Sequence, residues 1–155
     1  MDKTKSTTTL IFVSCAAILS FASQVSAYEA GIIKTVRGQV RIERNGNSLE
    51  ARVGVPVHER DRVIVQDASS VGISMSDETL LSIGRNSTMV IDRYSYDPVT
   101  REGQVATSIL KGTLRYITGL IGRAHPQAIK VTTGNATIGI RGTEFIVEVP
   151  DENKK

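Results

Sequence analysis

The sequence has one cysteine and no tryptophan, and aromatic residues make up only 5% of its 155 residues. Cys15 lies in an N-terminal apolar run, so the chain after that run has no cysteine with which to form a disulfide bond. The few aromatic residues argue against the stacking surfaces that often bind sugars or bases. We therefore expect stability to come from buried aliphatic side chains, which a chain of this length can provide in one domain.

The sequence also has no large excess of either positive or negative charge. The chain carries 19 Lys and Arg against 16 Asp and Glu, a formal net charge of +3, and the two signs are interspersed. Proteins that bind a nucleic-acid backbone concentrate basic residues on one face or in one stripe, and no such stripe occurs here. We therefore expect no nucleic-acid partner.

The N-terminus has the three-part layout of a secretory signal peptide. Lys3 and Lys5 precede an apolar run from Leu10 to Ala22, and the small residues of Val25-Ser26-Ala27 stand directly before Tyr28. The apolar run is shorter than the roughly 20 residues that cross a bilayer. The sequence predicts a signal peptide at residues 1–27, cleavage between Ala27 and Tyr28, and no stable membrane insertion afterwards. We expect the mature chain, 28–155, to be periplasmic or secreted.

Apolar and polar residues alternate with a period of two through most of the mature chain, the pattern of half-buried strands. The clearest example predicts a β-hairpin from about Val36 to Val53, because Asn45-Gly46 favours a tight turn between antiparallel strands. Further short alternating runs, each closed by Gly, Asn, Asp or Ser, predict an all-β domain with a core at about 31–149.

A helix could form only around residues 105–120, and its glycines argue against it. We predict two strands there, joined at Lys111-Gly112, with a short turn or helical cap after Ile117. Residues 63–83 and 129–149 also share an order of strand, turn and small-residue pair. Either this echo is coincidence or it indicates stacked turns. The predicted fold is a single domain forming a twisted β-solenoid-like or rolled sheet, with a β-sandwich as the alternative.

The mature sequence contains no recognisable catalytic or metal-binding motif. It has no nucleophile elbow, phosphate-binding loop or cysteine nucleophile, and His58 and His125 lie far apart without companions at metal-ligand spacing. The segment around His58 is interpreted as a solvated turn, and Asp77-Glu78 as a turn. We expect a non-enzymatic protein with no cofactor and no bound metal.

The stretch "ATIGIRGTEF", Ala136 to Phe145, places two glycines around an arginine. An anion-binding loop would need a following helix N-terminus, but the alternating pattern after Gly142 predicts a strand. We interpret the stretch as strand, tight Arg-Gly-Thr turn and strand, with Gly142 at positive φ, so that Gly142→Ala would cost about 1 kcal/mol or more. The Arg141 guanidinium must reach solvent or a carboxylate.

The same stretch resembles the signature of the FecR domain family. The positions that carry the signature are Thr133, Ala136, Gly139, Arg141, Gly142, Thr143 and Phe145. Gly134 stands where proline is common in the family. Upstream segments are similar in order and spacing, although Arg60 and Glu78 each replace a usual glycine. The resemblance covers about Gly31 to Val149.

This resemblance implies a mostly-β extracytoplasmic module that binds and transmits, without catalytic residues. In better-known members it belongs to a membrane-spanning regulator that relays a signal from a TonB-dependent siderophore receptor to an iron-starvation sigma factor. Here we expect no cytoplasmic region before the domain and no retained transmembrane helix, and therefore a stand-alone exported member. Its expected partner is a protein of the cell envelope, in envelope or iron-related signalling; the alternative is a module that binds peptidoglycan or another polysaccharide.

Overall fold

The structure is a computed structural model that describes residues 28–151, so the predicted signal peptide and the last four residues lie outside the described part. Twelve strands occur in the described part. They are β1 (Glu29–Arg37), β2 (Val40–Arg44), β3 (Asn47–Glu50), β4 (Pro56–His58), β5 (Arg62–Val65), β6 (Ser70–Met75), β7 (Leu80–Ile83), β8 (Ser87–Tyr96), β9 (Gly103–Ile117), β10 (Ile129–Thr132), β11 (Thr137–Gly139) and β12 (Glu144–Val149). Between β9 and β10 lie a short helix, α1 (Leu120–Ala124), and a 3₁₀ turn (Pro126–Ala128).

All twelve strands belong to one curled, open sheet, which confirms the predicted all-β rolled sheet. Its main path runs β3-β2-β5-β8-β9-β7-β6-β1-β4, while β10 and β12 both pair with β9. In the described residues the pair β9–β10 is parallel and every other pair is antiparallel. The stacked parallel turns of a regular solenoid are therefore not what forms this sheet, and a sandwich of two separate sheets does not describe it either.

The long strand β9 divides the sheet into two halves. Its first part pairs with β8 and β10, and its last part pairs with β7 and β12. We call the strands on the β8 and β10 side of this division the β10 half of the sheet, and the strands on the β7 and β12 side the β12 half. The change of partners falls at Gly112, where φ is +89°. The ladder with β8 contains a bulge just before this point, between Ile109 and Lys111. The predicted join at Lys111-Gly112 is therefore a bend inside one strand, not a connection between two.

The inner faces of both halves contribute to one hydrophobic core. The core is mainly aliphatic and contains three buried tyrosines, Tyr94, Tyr96 and Tyr116. Its largest fully buried side chains come from strands of both halves and from α1: Ile33, Ile42, Ile73, Leu81, Ile83, Met89, Ile91, Tyr94, Ile109, Leu114, Tyr116 and Ile121. Because alternate residues of each strand face this core, the period-two pattern of the sequence corresponds directly to burial.

The predicted turn of the hairpin at Asn45-Gly46 is confirmed, but the hairpin is shorter than predicted. β2 and β3 pair antiparallel around Asn45 and Gly46, whose φ values of +51° and +80° suit a two-residue hairpin turn. Val36 belongs to β1 instead, which pairs with β6.

The similarity between residues 63–83 and 129–149 does not correspond to a structural repeat. In the first copy the second and third strands, β6 and β7, pair with each other. In the second copy the first and second strands, β10 and β11, pair, and β12 crosses to the other half. The similarity reflects alternation and turn composition, not a repeated unit.

The segment around His58 is not the solvated turn that its charges suggested, because Asp61 is fully buried. The Asp61 carboxylate accepts two hydrogen bonds from Arg44, at 2.8 and 2.7 Å, and a third from the His58 backbone N–H at 2.8 Å. Arg44 lies in β2 and Asp61 directly precedes β5. A bidentate pair of this kind ties the hairpin to the β4–β5 turn, since its charge-assisted bonds satisfy the buried carboxylate.

Arg60 and Glu78 occupy backbone positions that explain why glycine is usual there in the family that the sequence resembles. Their φ values are +71° and +67°, in the left-handed region that side chains with a Cβ rarely adopt. Each residue sits in a tight turn between strands, Arg60 next to buried Asp61 and Glu78 next to buried Asp77. The two sequence departures therefore add local backbone strain.

We expect Arg60→Gly and Glu78→Gly each to raise the free energy of unfolding by about 0.5–1 kcal/mol, because glycine relieves the positive-φ cost at the expense of unfolded-state entropy. Denaturant titration of each variant measures the change. Arg60→Ala and Glu78→Ala are the matched controls, since they remove the side chain but keep the Cβ. Equal stability of the Gly and Ala variants would contradict the strain.

Candidate functional site

The signature segment forms a crossover between the two halves of the sheet. Gly139 of β11 aligns, through Lys130, with Ala106 of β9, whereas Glu144 of β12 aligns with Ile117 at the other end of β9. A straight β9 would separate Ala106 and Ile117 by roughly 36 Å. The chain from Gly139 to Glu144 can span about 18 Å at most. The crossover, Ile140–Thr143, therefore requires β9 to fold back at Gly112.

The crossover is held at both ends by buried groups. The Ile140 side chain lies in the core, at 8% exposure. Thr118, just after β9, donates its backbone N–H to the Thr143 carbonyl (2.8 Å) and its hydroxyl to the Gly142 carbonyl (3.0 Å). Phe145 then stacks on buried Tyr116, with ring centroids 4.9 Å apart. Core packing and the Thr118 bonds thus fix where β12 begins.

The predicted tight turn at Gly142 is wrong in two respects. β11 and β12 pair with different strands, so the segment between them is a crossover and not the turn of a hairpin. Gly142 also does not adopt a positive φ, and a Cβ built on it would meet no atom within 4 Å. The real left-handed glycine of this region is Gly112, whose role only the sheet pairing reveals.

The other signature residues have local or exposed positions. Thr133 closes the β10–β11 turn: its backbone N–H donates to the Ala136 carbonyl at 2.8 Å, and its hydroxyl accepts the Ala136 N–H at 3.1 Å. Gly139 is exposed and pairs with Lys130. Arg141 is exposed and forms no ion pair or hydrogen bond with residues 28–151. Of the two expectations for its guanidinium, solvent is the one that these contacts support.

The outer face of the β12 half carries exposed apolar side chains on paired strands. One row crosses five strands in register, from Thr35 through Gly72, Ser82 and Arg115 to Ile146. Ile146 is 65% exposed and Leu80, in the neighbouring row, is 44% exposed. We call this surface the β12 face. Its small residues make a shallow depression, which Arg115 and Ile146 help to line.

Charges on the β12 face are of both signs. Arg115 pairs with Glu144 across β9 and β12 at 2.7 Å, with both side chains about half exposed. Glu148, two rows further along β12, forms no ion pair with residues 28–151. Exposed pairs of this kind contribute little to stability, so these charges are available to a partner.

A second concave surface lies beside Tyr28, the residue expected to follow the cleavage point. The Tyr28 hydroxyl donates to the Tyr96 carbonyl at 2.6 Å, and its half-exposed ring borders a cleft of about 600 Å³. The lining includes the polar side chains of Gln104, His125 and Gln127. This cleft is the place in the described part where a sugar would find an aromatic ring with polar groups around it.

Asp77 is part of a buried polar cluster that organises the end of β9. Its carboxylate accepts hydrogen bonds from the Thr79 hydroxyl (2.8 Å) and the Tyr94 hydroxyl (3.3 Å). The Asp77 backbone N–H donates to the Tyr94 hydroxyl at 2.9 Å, and the Asp77 carbonyl accepts the Leu120 N–H at 2.7 Å. The cluster joins the β6–β7 turn, β8 and the start of α1, so its contacts account for Asp77 structurally.

The titratable residues singled out from the sequence are not brought together. No hydrogen bond within residues 28–151 connects His58, His125 and Asp77. His58 ends β4, and His125 lies between α1 and the 3₁₀ turn. Over the described range, no group of three or more His, Cys, Asp or Glu is placed to hold a metal ion. In the same range no helix is long and apolar enough to cross a membrane.

The two glycines provide a matched pair of substitutions. We expect Gly112→Ala to lower the free energy of unfolding by about 2 kcal/mol or more, because its φ is +89° and a Cβ there would collide with Ser87, including a backbone atom at 2.6 Å. Gly142→Ala should change stability by less than about 0.5 kcal/mol. Thermal and denaturant unfolding measure both. A larger loss for Gly142→Ala than for Gly112→Ala would contradict this assignment.

The buried tyrosines predict a loss of stability at alkaline pH. Burial raises the pKa of Tyr94 and of Tyr116 well above the ordinary value near 10, and the charge of Asp77 adds to both shifts. As pH rises, the tyrosines of the unfolded chain therefore lose their protons at a lower pH than those of the folded chain. The contribution of these two tyrosines to the free energy of unfolding is complete below about pH 10 and falls as pH rises further. We expect the free energy of unfolding to drop by about 1–2 kcal/mol per pH unit above pH 10.5.

Denaturant titrations between pH 8 and 11.5 check this dependence. Tyr94→Phe should be less stable at pH 8, because it loses the bonds to Asp77, and should show a flatter slope above pH 10.5. An identical slope in Tyr94→Phe and the parent protein would contradict the contribution of Tyr94.

Comparison with known protein families supports the resemblance carried by the signature. A family model described as FecR protein matches residues 61–155, which include β5 to β12, the Asp61 carboxylate and the crossover. No curated protein and no solved structure matches the chain. The FecR family is involved in iron–siderophore signalling. Because the match extends over more than half of the sequence, the chain belongs to the FecR family.

Proposed function

We propose that this protein is a non-enzymatic, extracytoplasmic FecR module that binds a protein partner in envelope or iron-related signalling. The observation that carries the proposal is the β12 face, where Ile146 and Leu80 are exposed on a paired sheet surface. The predicted signal peptide supports the extracytoplasmic location, and the separation of His58, His125 and Asp77 supports the non-enzymatic role.

The β12 face has the composition of a protein-binding surface. Its exposed apolar side chains, Ile146 on the edge strand and Leu80 one row away, can be desolvated by a partner, while Arg115, Glu144 and Glu148 place charges beside them. A backbone paired on several strands holds these side chains in fixed positions, so little conformational entropy is lost on binding. The crossover fixes the start of β12 and therefore places Ile146 on this face.

A module that binds peptidoglycan or another polysaccharide is the second candidate. The cleft beside Tyr28 favours it, because an aromatic ring bordered by Gln104 and Gln127 offers stacking and hydrogen bonds to a sugar. Tyr28 is one ring, however, and most of the remaining aromatic surface is buried. The protein-binding function thus has the two exposed apolar side chains of the β12 face, Ile146 and Leu80, in its favour.

Photo-crosslinking in the native envelope tests the leading function, with a photoreactive residue at position 146 or at position 53. Val53 is the matched control, because it is 66% exposed and lies between β3 and β4, off the β12 face. We expect position 146 to give a crosslink to a defined protein and position 53 to give none. Ile146→Asp should weaken co-purification of that protein at least tenfold, and Val53→Asp should leave it unchanged.

The absence of any protein crosslink from position 146, together with co-sedimentation of the chain with isolated cell wall at low salt, would contradict the leading function. If that co-sedimentation were lost in Tyr28→Ala, the polysaccharide function would replace it. Circular dichroism of each variant checks that the fold is intact.

A further inference from the structure

β12 is an edge strand with one side unpaired. Within residues 28–151 it pairs with β9 and with no other strand. The Thr143 carbonyl accepts the Thr118 N–H, so Thr143 directs its backbone groups toward the strand line of β9. Because backbone direction alternates along a strand, Glu144, Ile146 and Glu148 direct their N–H and C=O groups to the free side. Unpaired groups of this kind are a template for another strand.

The space beside the free edge is open at its C-terminal end. A groove of about 500 Å³ separates the end of β12 from the β10–β11 turn, with Leu110 and Lys111 of β9 beside it. β10 and β12 leave the same side of β9 on either side of the Gly112 bend, so they diverge instead of pairing. The bend that closes the core thus leaves the edge of β12 accessible.

The side chains of β12 define which segment would fit. Glu144, Ile146 and Glu148 alternate on its outer face, and β12 contains no basic residue. A partner strand with Lys or Arg opposite the glutamates and an apolar residue opposite Ile146 would form favourable cross-strand pairs. A second copy of β12 would instead bring four glutamate side chains onto one face, which is unfavourable for like charges.

We propose that the free edge of β12 binds an extended segment of the protein partner as an added strand, with basic and apolar residues alternating along that segment. The inference rests on the proposed function and specifies its mode of recognition. Backbone hydrogen bonds from Glu144, Ile146 and Glu148 supply affinity. Glu148, which forms no ion pair with residues 28–151, selects a basic residue, and Glu144 shares its charge between Arg115 and the partner. Strand addition at this edge also extends the β12 face by one strand. The Ile146 side chain is then flanked by β9 on one side and by the added strand on the other.

The test uses two synthetic eight-residue peptides, one alternating Lys and Val and the other alternating Glu and Val. Fluorescence anisotropy measures binding to the full mature chain, and amide hydrogen exchange locates the contact. We expect the Lys/Val peptide to bind at least tenfold more tightly than the Glu/Val peptide. Bound Lys/Val peptide should slow exchange at Ile146 and Glu148. Equal binding of both peptides, or protection confined to another strand, would overturn the proposal.

Substitution of Ile146 separates backbone recognition from side-chain recognition. Ile146→Pro removes the outward N–H and is tolerated at an edge because the ladder with β9 is kept, whereas Ile146→Thr retains both the N–H and the β-branch. We expect at least tenfold weaker peptide binding for Ile146→Pro and at most about threefold weaker binding for Ile146→Thr. Equal binding by the two variants would overturn strand addition.

A charge variant keeps the test decisive if Ile146→Pro fails to fold. Glu148→Lys should weaken binding of the Lys/Val peptide at least tenfold, while Glu102→Lys, an exposed control in the β8–β9 loop, should weaken it at most about twofold. Equal effects of the two charge variants would overturn the edge site. A dimer in sedimentation analysis that Ile146→Pro abolishes would also overturn it, in favour of a second copy.

Two substitutions of Ile146 distinguish strand addition at the β12 edge from protein binding to the β12 face. If Ile146→Asp abolishes capture of the crosslinked partner but Ile146→Pro does not, the protein-binding function stands and strand addition fails. If neither variant affects capture, both fail.

Discussion

The turn of β9 at Gly112 is the constraint on which the rest of the structure depends. β9 is paired on both sides along most of its length, so its direction sets the direction of both halves of the sheet. A left-handed φ that only glycine adopts without cost lets it fold back, and the absence of a Cβ lets Ser87 approach. The inner faces of the two halves then bury one aliphatic core, and a four-residue crossover can reach from one half to the other.

The family signature acquires a physical meaning from this arrangement. Ile140 in the core and the two bonds from Thr118 hold the crossover, and Phe145 on Tyr116 sets the start of β12. The same geometry leaves Arg141 exposed and one side of β12 unpaired. A segment that closes the fold on its inner side therefore leaves Ile146 and the edge of β12 exposed on its outer side.

Short stretches of sequence correctly predicted the structural features that depend only on residues close together in the chain. The Asn45-Gly46 turn and the period-two burial of the strands are both visible in short stretches of sequence. The errors concern groups whose partners are distant in sequence. Asp61 appears solvated until Arg44 pairs with it from β2, and Gly142 appears to be a hairpin turn until β11 and β12 are seen to pair with different strands.

By itself, the sequence determined the all-β class, the aliphatic core without disulfides and the membership of the FecR family, because alternation, composition and a short signature are all local properties of the chain. Tertiary structure alone decided that β9 turns within one strand, that Asp77 and Asp61 are buried and satisfied, and that Ile146 and the β12 edge remain uncovered. These features follow from which strands pair across long sequence separations. Such pairing reflects the summed burial of both half-sheets, which no short stretch of the sequence contains.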